Sequence, residues 1–203
     1  MPINYSIQAD IVDIIADAPR ADDVFLVDTN IWYWMTYPYA TTSTPSQITD
    51  YPGYLNNALS VGAKIYHSGL SLAELAHSIE KTEREIYERR AGTIKAKEYR
   101  HNLPAERSRV VSQLEAAWGV VKSLGELLDA TIEPTTVNAS LVRYKTNLVD
   151  GYDLFILESM QKNGIVQIIT DDGDYSSVPA IKVFTANKNV VAAARLQNRL
   201  IAR

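Results

Sequence analysis

The chain has 203 residues, no cysteine and a formal net charge of −4. The length predicts one domain over residues 1–203, and the lack of cysteine excludes disulfides and thiolate metal sites. The negative net charge argues against a protein that coats nucleic acid by charge alone. No segment approaches the roughly 20 consecutive apolar residues of a membrane-spanning helix, and the N-terminal stretch lacks the features of a secretory signal, so we expect a cytoplasmic protein without membrane contact.

Short apolar runs rich in β-branched residues alternate with amphipathic stretches along the chain. This pattern predicts an α/β fold, a three-layer α/β/α arrangement in which helices cover both faces of a central parallel sheet. A helix is expected before Pro19. Strands are expected at 24–27, 64–67, 166–169 and 181–184, with a further short strand near 135–137. Further helices are expected from about Leu72 and at about 106–128, 152–163 and 189–201.

The stretch 81–110 is helix-prone, strongly charged and poor in large apolar residues, which predicts an extended helical arm. Its nine basic residues are Lys81, Arg84, Arg89, Arg90, Lys95, Lys97, Arg100, Arg107 and Arg109. Its five acidic residues are Glu83, Glu85, Glu88, Glu98 and Glu106. Both a surface that tracks phosphates and a solvated or partner-binding helix fit this mixture of charges.

Four acidic residues follow predicted strands or lie in the first turn of the next helix. Asp28 follows VFLV and Asp172 follows VQIIT, while Glu74 and Asp153 lie in first helical turns. Because ligands bind beyond the carboxyl ends of parallel strands, we expect these acids to converge at one edge of the sheet. Clustered carboxylates raise one another's pKa, and a hard cation relieves the repulsion. The cluster predicts an Mg²⁺ or Mn²⁺ site that hydrolyses phosphodiester bonds of nucleic acid.

Four segments resemble the motifs of the PIN domain nuclease family. They are VFLVDTNIW, LSLAEL, YDLFILESMQKNG and IITDDGDY, which follow one another in the family's order. The resemblance implies a compact α/β/α nuclease that cuts single-stranded RNA with a divalent metal. Many bacterial members are VapC-type toxins, which implies a possible antitoxin partner and a homodimer. The chain departs from the toxin pattern in being longer, mainly through the expected N-terminal helix and the charged arm.

The resemblance also assigns roles to individual residues. Asp28, Glu74 and Asp153 match the first three acids of the family's site. Asn30 and Thr170 match the polar residues that steady it. The spacing from Thr170 favours Asp172 as the fourth acid, and the adjacent Asp171 and Asp174 are alternatives.

Ordinary structural roles compete with these assignments. Ser71 and Glu74 have the spacing of a capping box, and Asp150 and Asp153 have positions that cap the next helix. The Asp-Asp-Gly-Asp segment is also typical of a turn. His67 and His101 are expected to be ordinary core or surface residues. The aromatic run comprises Trp32, Tyr33, Trp34, Tyr37 and Tyr39, which either pack against the sheet or stack on unpaired bases.

Two other functions compete with a nuclease. A phosphatase of the haloacid dehalogenase type also uses an aspartate after its first strand. It needs a second acid two residues later, where this chain has Asn30. The other alternative is a non-catalytic PIN-like module that binds RNA or a protein partner.

Overall fold

The computed structural model describes residues 3–129 and 131–203 of the chain. The strands are β1 (Asp10–Asp13), β2 (Val24–Val27), β3 (Lys64–Ser68), β4 (Glu126–Leu128), β5 (Gln167–Ile169) and β6 (Lys182–Thr185). The helices are α1 (Thr29–Thr36), α2 (Asp50–Val61), α3 (Ser71–Ala91), α4 (Ala96–Asn102), α5 (Pro104–Leu124), α6 (Pro134–Thr146), α7 (Gly151–Lys162) and α8 (Lys188–Leu196). All strand pairs are parallel, in the order β1-β6-β5-β2-β3-β4.

Successive residues of the central strands belong to two separate apolar cores. Phe25 packs with the helices on one face of the sheet, and Leu26 packs with those on the other. Ile169 and Ile168 divide between the faces in the same way. Helices α1, α2, α3 and α5 contribute to the first core, and α7 and α8 contribute to the second. The predicted three-layer α/β/α fold is therefore confirmed.

The four main predicted strands are present, each within one residue at either end. The predicted helix before Pro19 is wrong, because this segment forms β1. Ile11 and Val12 are both buried, but they face opposite cores. The apolar run of this strand is only Ile11 and Val12, which is too short for periodicity to distinguish a strand from a helix.

Three further elements differ from the prediction. The expected strand near 135–137 is wrong, because these residues lie in the first turn of α6, which begins at Pro134. Proline at the first helical position has the backbone angle that a helix needs. The expected helix over 106–128 ends at Leu124, and the next residues form β4 beside β3. The last helix ends at Leu196, after which the chain turns back to bond with Ile11 of β1.

The predicted arm at 81–110 consists of the end of α3, all of α4 and the start of α5. These helices do not extend as a single arm, because Tyr99 and Val110 are buried in the first apolar core. Ion pairs also join the helices, among them that of Arg109 with Glu83. The segment is thus a folded layer in which much of the charge is paired.

No helix in the described residues is long and apolar enough to cross a membrane.

The side chain of Arg203 is buried between two carboxylates. Its Nη2 lies 2.8 Å from Oδ2 of Asp17, and Nη1 also pairs with Asp23. The guanidinium stands over the ring of Phe184, 4.6 Å from the ring centroid. Burial acts to raise the pKa of Asp23, but hydrogen bonds from Arg203, the backbone N–H of Arg20 and the amide of Gln167 together hold that pKa below its usual value.

Replacing Arg203 tests how much its ion pairs with Asp17 and Asp23 contribute to stability. Arg203→Met leaves two buried carboxylates without a cation, so we expect the free energy of unfolding to fall by about 3 kcal/mol. Urea denaturation of both proteins measures the change. The control is Arg199→Met, which breaks a half-exposed pair with Asp10 and is expected to cost less than about 1 kcal/mol. Equal losses in the two variants would contradict a special contribution from Arg203.

Candidate active site

The four predicted acids line one cleft at the carboxyl edge of the sheet. Asp28 follows β2 as the N-cap of α1, and Asp172 follows the neighbouring strand β5. Glu74 and Asp153 lie in the first turns of α3 and α7. The cleft has a volume of about 350 Å³, and its other lining residues are Thr29, Asn30, Tyr33, Trp34, Ser78 and Asp150. The expected convergence at one edge of the sheet is therefore observed.

Thr170 connects three of the residues around the cleft. Its hydroxyl donates to Oδ2 of Asp28 at 2.6 Å. The hydroxyl oxygen of Thr170 in turn accepts from the backbone N–H of Asp172 at 2.9 Å and from the amide of Asn30 at 3.3 Å. The other oxygen of Asp28 accepts from the backbone N–H of Thr29 at 2.6 Å. Asp28 is thus held in one orientation by donors to both of its oxygens.

Two hydroxyl donors that the sequence motifs did not identify hold the other two acids. Thr29 donates to Oε2 of Glu74 at 2.5 Å, and Tyr175 donates to Oδ1 of Asp153 at 2.7 Å. Thr29 lies inside the Asp-Thr-Asn motif, so its position in the sequence could have predicted a role at the site. Tyr175 offered none, because a short 3₁₀ turn over 174–177 brings its fully buried side chain to Asp153.

The capping-box interpretation of Glu74 is wrong. Helix α3 begins at Ser71 after Leu70, and no side chain caps it. The carboxylate of Glu74 instead bonds across the cleft to Thr29, which leads into α1 from the end of β2. Its orientation toward the cleft is therefore set by a tertiary contact and not by its own helix.

Among the three candidates for the fourth acid, only Asp172 lines the cleft. Asp171 is held on the side of α2, where it accepts from the hydroxyl of Tyr51 at 2.6 Å and from Gln47 at 3.1 Å. Asp174 contributes its backbone N–H to Oδ1 of Asp172 at 2.9 Å. The structure thus gives the adjacent acids different surroundings, although the sequence places them side by side.

The aromatic run after Asp28 is divided between the core and the surface. Trp32, Tyr33 and Tyr37 are buried in the first apolar core, so packing is the main role of the run. Trp34 lies at the acidic cleft together with Tyr33. Tyr39 is 59% exposed.

The histidines take the ordinary positions expected of them. His67 is buried on β3 with its ring edge-on to Trp118, at 4.9 Å between ring centroids. His101 is exposed. Neither lines the acidic cleft.

Burial and mutual repulsion disfavour ionisation throughout the cleft. Burial, followed by the charges of Asp172 and Glu74, raises the pKa of Asp28 to about 7. Burial, followed by the charge of Asp28, raises the pKa of Asp153 to about 8. The pKa values of Glu74 and Asp172 are also raised, first by burial and then by Asp150 at the exposed N-cap position of α7. No lysine, arginine or histidine stands among the residues that line the cleft.

The donor chemistry of the cleft fits a hard divalent cation. The hydrogen bonds described above engage one oxygen each of Glu74, Asp153 and Asp172. Oδ1 of Asn30 is buried without a hydrogen-bond partner in the described chain. Oxygen donors of this kind suit Mg²⁺ or Mn²⁺. Within residues 3–129 and 131–203, however, no three acidic or histidine side chains are gathered closely enough to enclose an ion as they stand.

Several solved chains are similar to this one, and one of them is VapBC2 from Rickettsia felis bound to a DNA fragment from their promoter. The identity is 18% and the TM-score is 0.46, with 80% of this chain and 98% of that chain covered. No protein-family model and no curated protein matches the chain. The functional interpretation therefore depends on the geometry of the cleft and on the sequence motifs.

The raised pKa values predict how stability depends on pH. Asp28 and Asp153 bind protons more tightly in the folded chain than in the unfolded chain, so the metal-free protein loses stability as the pH rises from about 4 to about 8. Asp153→Asn keeps an oxygen for Tyr175 but removes the charge. We expect it to raise the free energy of unfolding at pH 8 by about 1 kcal/mol or more, and the melting temperature by about 2–4 °C per kcal/mol.

Thermal denaturation in excess chelator, near pH 4 and near pH 8, measures this effect. The matched control is Asp22→Asn, an exposed aspartate just before the amino end of β2, at the opposite edge of the sheet. It is expected to leave the melting temperature unchanged at both pH values. A loss of stability at pH 8 in Asp153→Asn would contradict the prediction.

Proposed function

We propose that the chain hydrolyses phosphodiester bonds of single-stranded RNA with Mg²⁺ or Mn²⁺, held by Asp28, Glu74, Asp153 and Asp172. The observation that carries the proposal is the cleft, in which these four carboxyl groups and that of Asp150 share one space with no basic side chain in its lining. Strongly perturbed carboxyl groups in a cleft are typical of functional sites. The four PIN-like motifs support the same function, because they supply these four acids.

A divalent cation bound here would supply an activated water and neutralise charge on the phosphate. The chain's own residues fix its surroundings. Thr170 and the backbone of Thr29 orient Asp28, while Tyr175 orients Asp153. The amino ends of α3 and α7 add N–H groups that favour phosphate. Trp34 offers a half-buried aromatic face at the cleft, on which an unpaired base can stack.

One observation favours a second candidate, a PIN-like module that binds RNA or a protein without cutting it. The described residues do not gather three ligands around a point where an ion would sit. We prefer the nuclease because the four acids that the motifs supply all line one cleft. A phosphatase of the haloacid dehalogenase type has no such support, since Asn30 stands where its second acid is needed and donates to Thr170.

Removal of Asp28 tests the proposal directly. Asp28→Asn keeps the side-chain shape but removes the charge, so we expect cleavage of a fluorescent single-stranded RNA with Mn²⁺ to fall by more than about a hundredfold. Even outer-shell partners of metal ligands cost about 10- to 100-fold when they are replaced. Calorimetric titration with Mn²⁺ alone gives a second measurement, in which Asp28→Asn loses the binding seen in the original protein.

The control for both measurements is Asp22→Asn, which is expected to cleave RNA and bind Mn²⁺ like the original protein. Equal cleavage by Asp28→Asn, or cleavage that persists in excess chelator, would contradict the nuclease. Metal binding without any cleavage would favour the non-catalytic module.

The adjacent acids allow a second test. Because only Asp172 lines the cleft, Asp172→Asn is expected to lower cleavage by more than about tenfold. Asp174→Asn is expected to change it by less, since its backbone N–H, which bonds to Asp172, is unaffected. Asp171→Asn keeps an acceptor for Tyr51 and is also expected to have a small effect. Initial rates with Mn²⁺ rank the variants, and a larger effect at Asp171 or Asp174 would identify that residue as the fourth acid.

On the motif resemblance alone, we also propose a VapC-type toxin role, with an antitoxin partner and a homodimer. A neighbouring small gene for a DNA-binding antitoxin, and growth arrest that its product relieves, would support the toxin role. The extra N-terminal strand and the helical layer over 81–110 distinguish this chain from the toxin pattern.

A further inference from the structure

A second cavity, of about 470 Å³, lies between the segment after α1 and the helices α3 and α5. It does not share a lining residue with the acidic cleft. We call it the arginine cavity. Its lining residues are Tyr39, Ala40, Thr41, Thr82, Glu83, Ile86, Arg89, Arg109 and Gln113.

The arginine cavity and the acidic cleft lie on either side of Tyr33. The ring of Tyr33 lines the cleft, and its hydroxyl lies 2.6 Å from that of Thr82 in the cavity. The backbone N–H of Thr41, also in the cavity, donates to the same hydroxyl at 3.0 Å. Ser78 in the cleft and Thr82 in the cavity are one turn apart on α3, about 6 Å along the axis. The cleft and the cavity are therefore about one helical turn apart along α3.

The cavity carries an unbalanced positive charge. Its one carboxylate, Glu83, is buried, and it is satisfied by Arg109 and by the hydroxyl of Tyr37 at 2.7 Å. Arg109 binds Glu83 through Nε and Nη2, so the two charges cancel. Arg89 is exposed, and none of the ion pairs among the described residues includes it. A phosphate here meets the free guanidinium of Arg89.

Tyr39 adds an aromatic face to the same cavity. Its ring is 59% exposed, in contrast to the buried Tyr37, which it meets edge-on at 5.9 Å between ring centroids. An exposed aromatic ring and a free arginine in the lining of one cavity offer stacking to a base and attraction to a phosphate. Proteins that bind single strands use these two interactions together. Tyr39 contacts Tyr37 but stays mostly exposed, and no ion pair among the described residues holds Arg89.

We propose that the arginine cavity holds a nucleotide of the substrate strand outside the acidic cleft, with its phosphate at Arg89 and its base on Tyr39. The proposal names a binding site for the substrate class of the proposed function and rests on that function for the direction of the strand. It depends on residues that take no part in the acidic cleft. Binding and cleavage are therefore separable.

Binding is measured by fluorescence anisotropy with a labelled single-stranded RNA of about 12 nucleotides, in excess chelator so that no cleavage occurs. Arg89→Glu is expected to raise Kd by about tenfold or more, and Tyr39→Ala by about 5- to 150-fold. Arg89→Gln is expected to lower the slope of log Kd against log salt by about 0.7, the value for one phosphate contact on a single strand. A merely structural role of Arg89 would leave this slope unchanged.

Each variant has a matched control. Lys97→Glu makes the same charge change on α4, at an exposed residue outside the cavity, and Tyr144→Ala removes a 60% exposed tyrosine from α6. Both are expected to change Kd by less than about threefold. Equal effects in Arg89→Glu and Lys97→Glu would overturn the proposal, as would the absence of RNA binding by the original protein.

The same proteins, assayed for cleavage with Mn²⁺, separate this proposal from the nuclease. Binding that depends on Arg89 in a protein that never cleaves would overturn the nuclease and retain the cavity. Cleavage that depends on Asp28 but is indifferent to Arg89 and Tyr39 at low RNA concentration would retain the nuclease and overturn the cavity.

Discussion

The hydroxyl of Thr170 joins the loops that follow β2 and β5 by giving one hydrogen bond to Asp28 and accepting two, from Asn30 and Asp172. A hydroxyl offers one donor and two acceptor positions, so the bonding capacity of this group is fully used. The arrangement fixes Asp28 although two other acids act to raise its pKa. The position of β5 beside β2 makes the contact possible, and the rest of the acidic cleft is built around it.

Holding these acids together opposes folding, and the remainder of the chain offsets that cost. Two apolar cores, one on each face of the sheet, supply the main stabilisation. The buried Arg203 joins Asp17 and Asp23 on the first core's side of the molecule, where it contacts Phe184. A functional site often lowers the stability of a protein when its ligand is not bound, compared with a site made of neutral residues. In this chain the loss of stability comes from the acids that line the cleft.

The helical layer formed by α3, α4 and α5 connects the acidic cleft to the surface beyond it. The first turn of α3 supplies Glu74 to the cleft, and later turns of the same helix supply Thr82 and Arg89 to the arginine cavity. Internal ion pairs such as that of Arg109 with Glu83 neutralise much of its charge, which explains how so charged a segment folds against an apolar core. The charges left unpaired are then the ones available to a ligand. For Arg89 this places a cation on the path along α3 from the cleft.

The sequence by itself determined the parallel α/β fold and the strand ends that bear Asp28 and Asp172, because β-branched runs and the acids after them are local patterns. It did not determine that the segment before Pro19 is a strand, since the apolar pair Ile11 and Val12 is too short to show a distinguishing period. The sequence favoured Asp172 by its spacing, but only the contact of Asp171 with Tyr51, 120 residues away, shows that Asp171 is held outside the cleft. The donor Tyr175 and the free Arg89 likewise became visible only in three dimensions. Which side chain meets which is decided by packing between elements distant in the chain, and no local pattern carries that information.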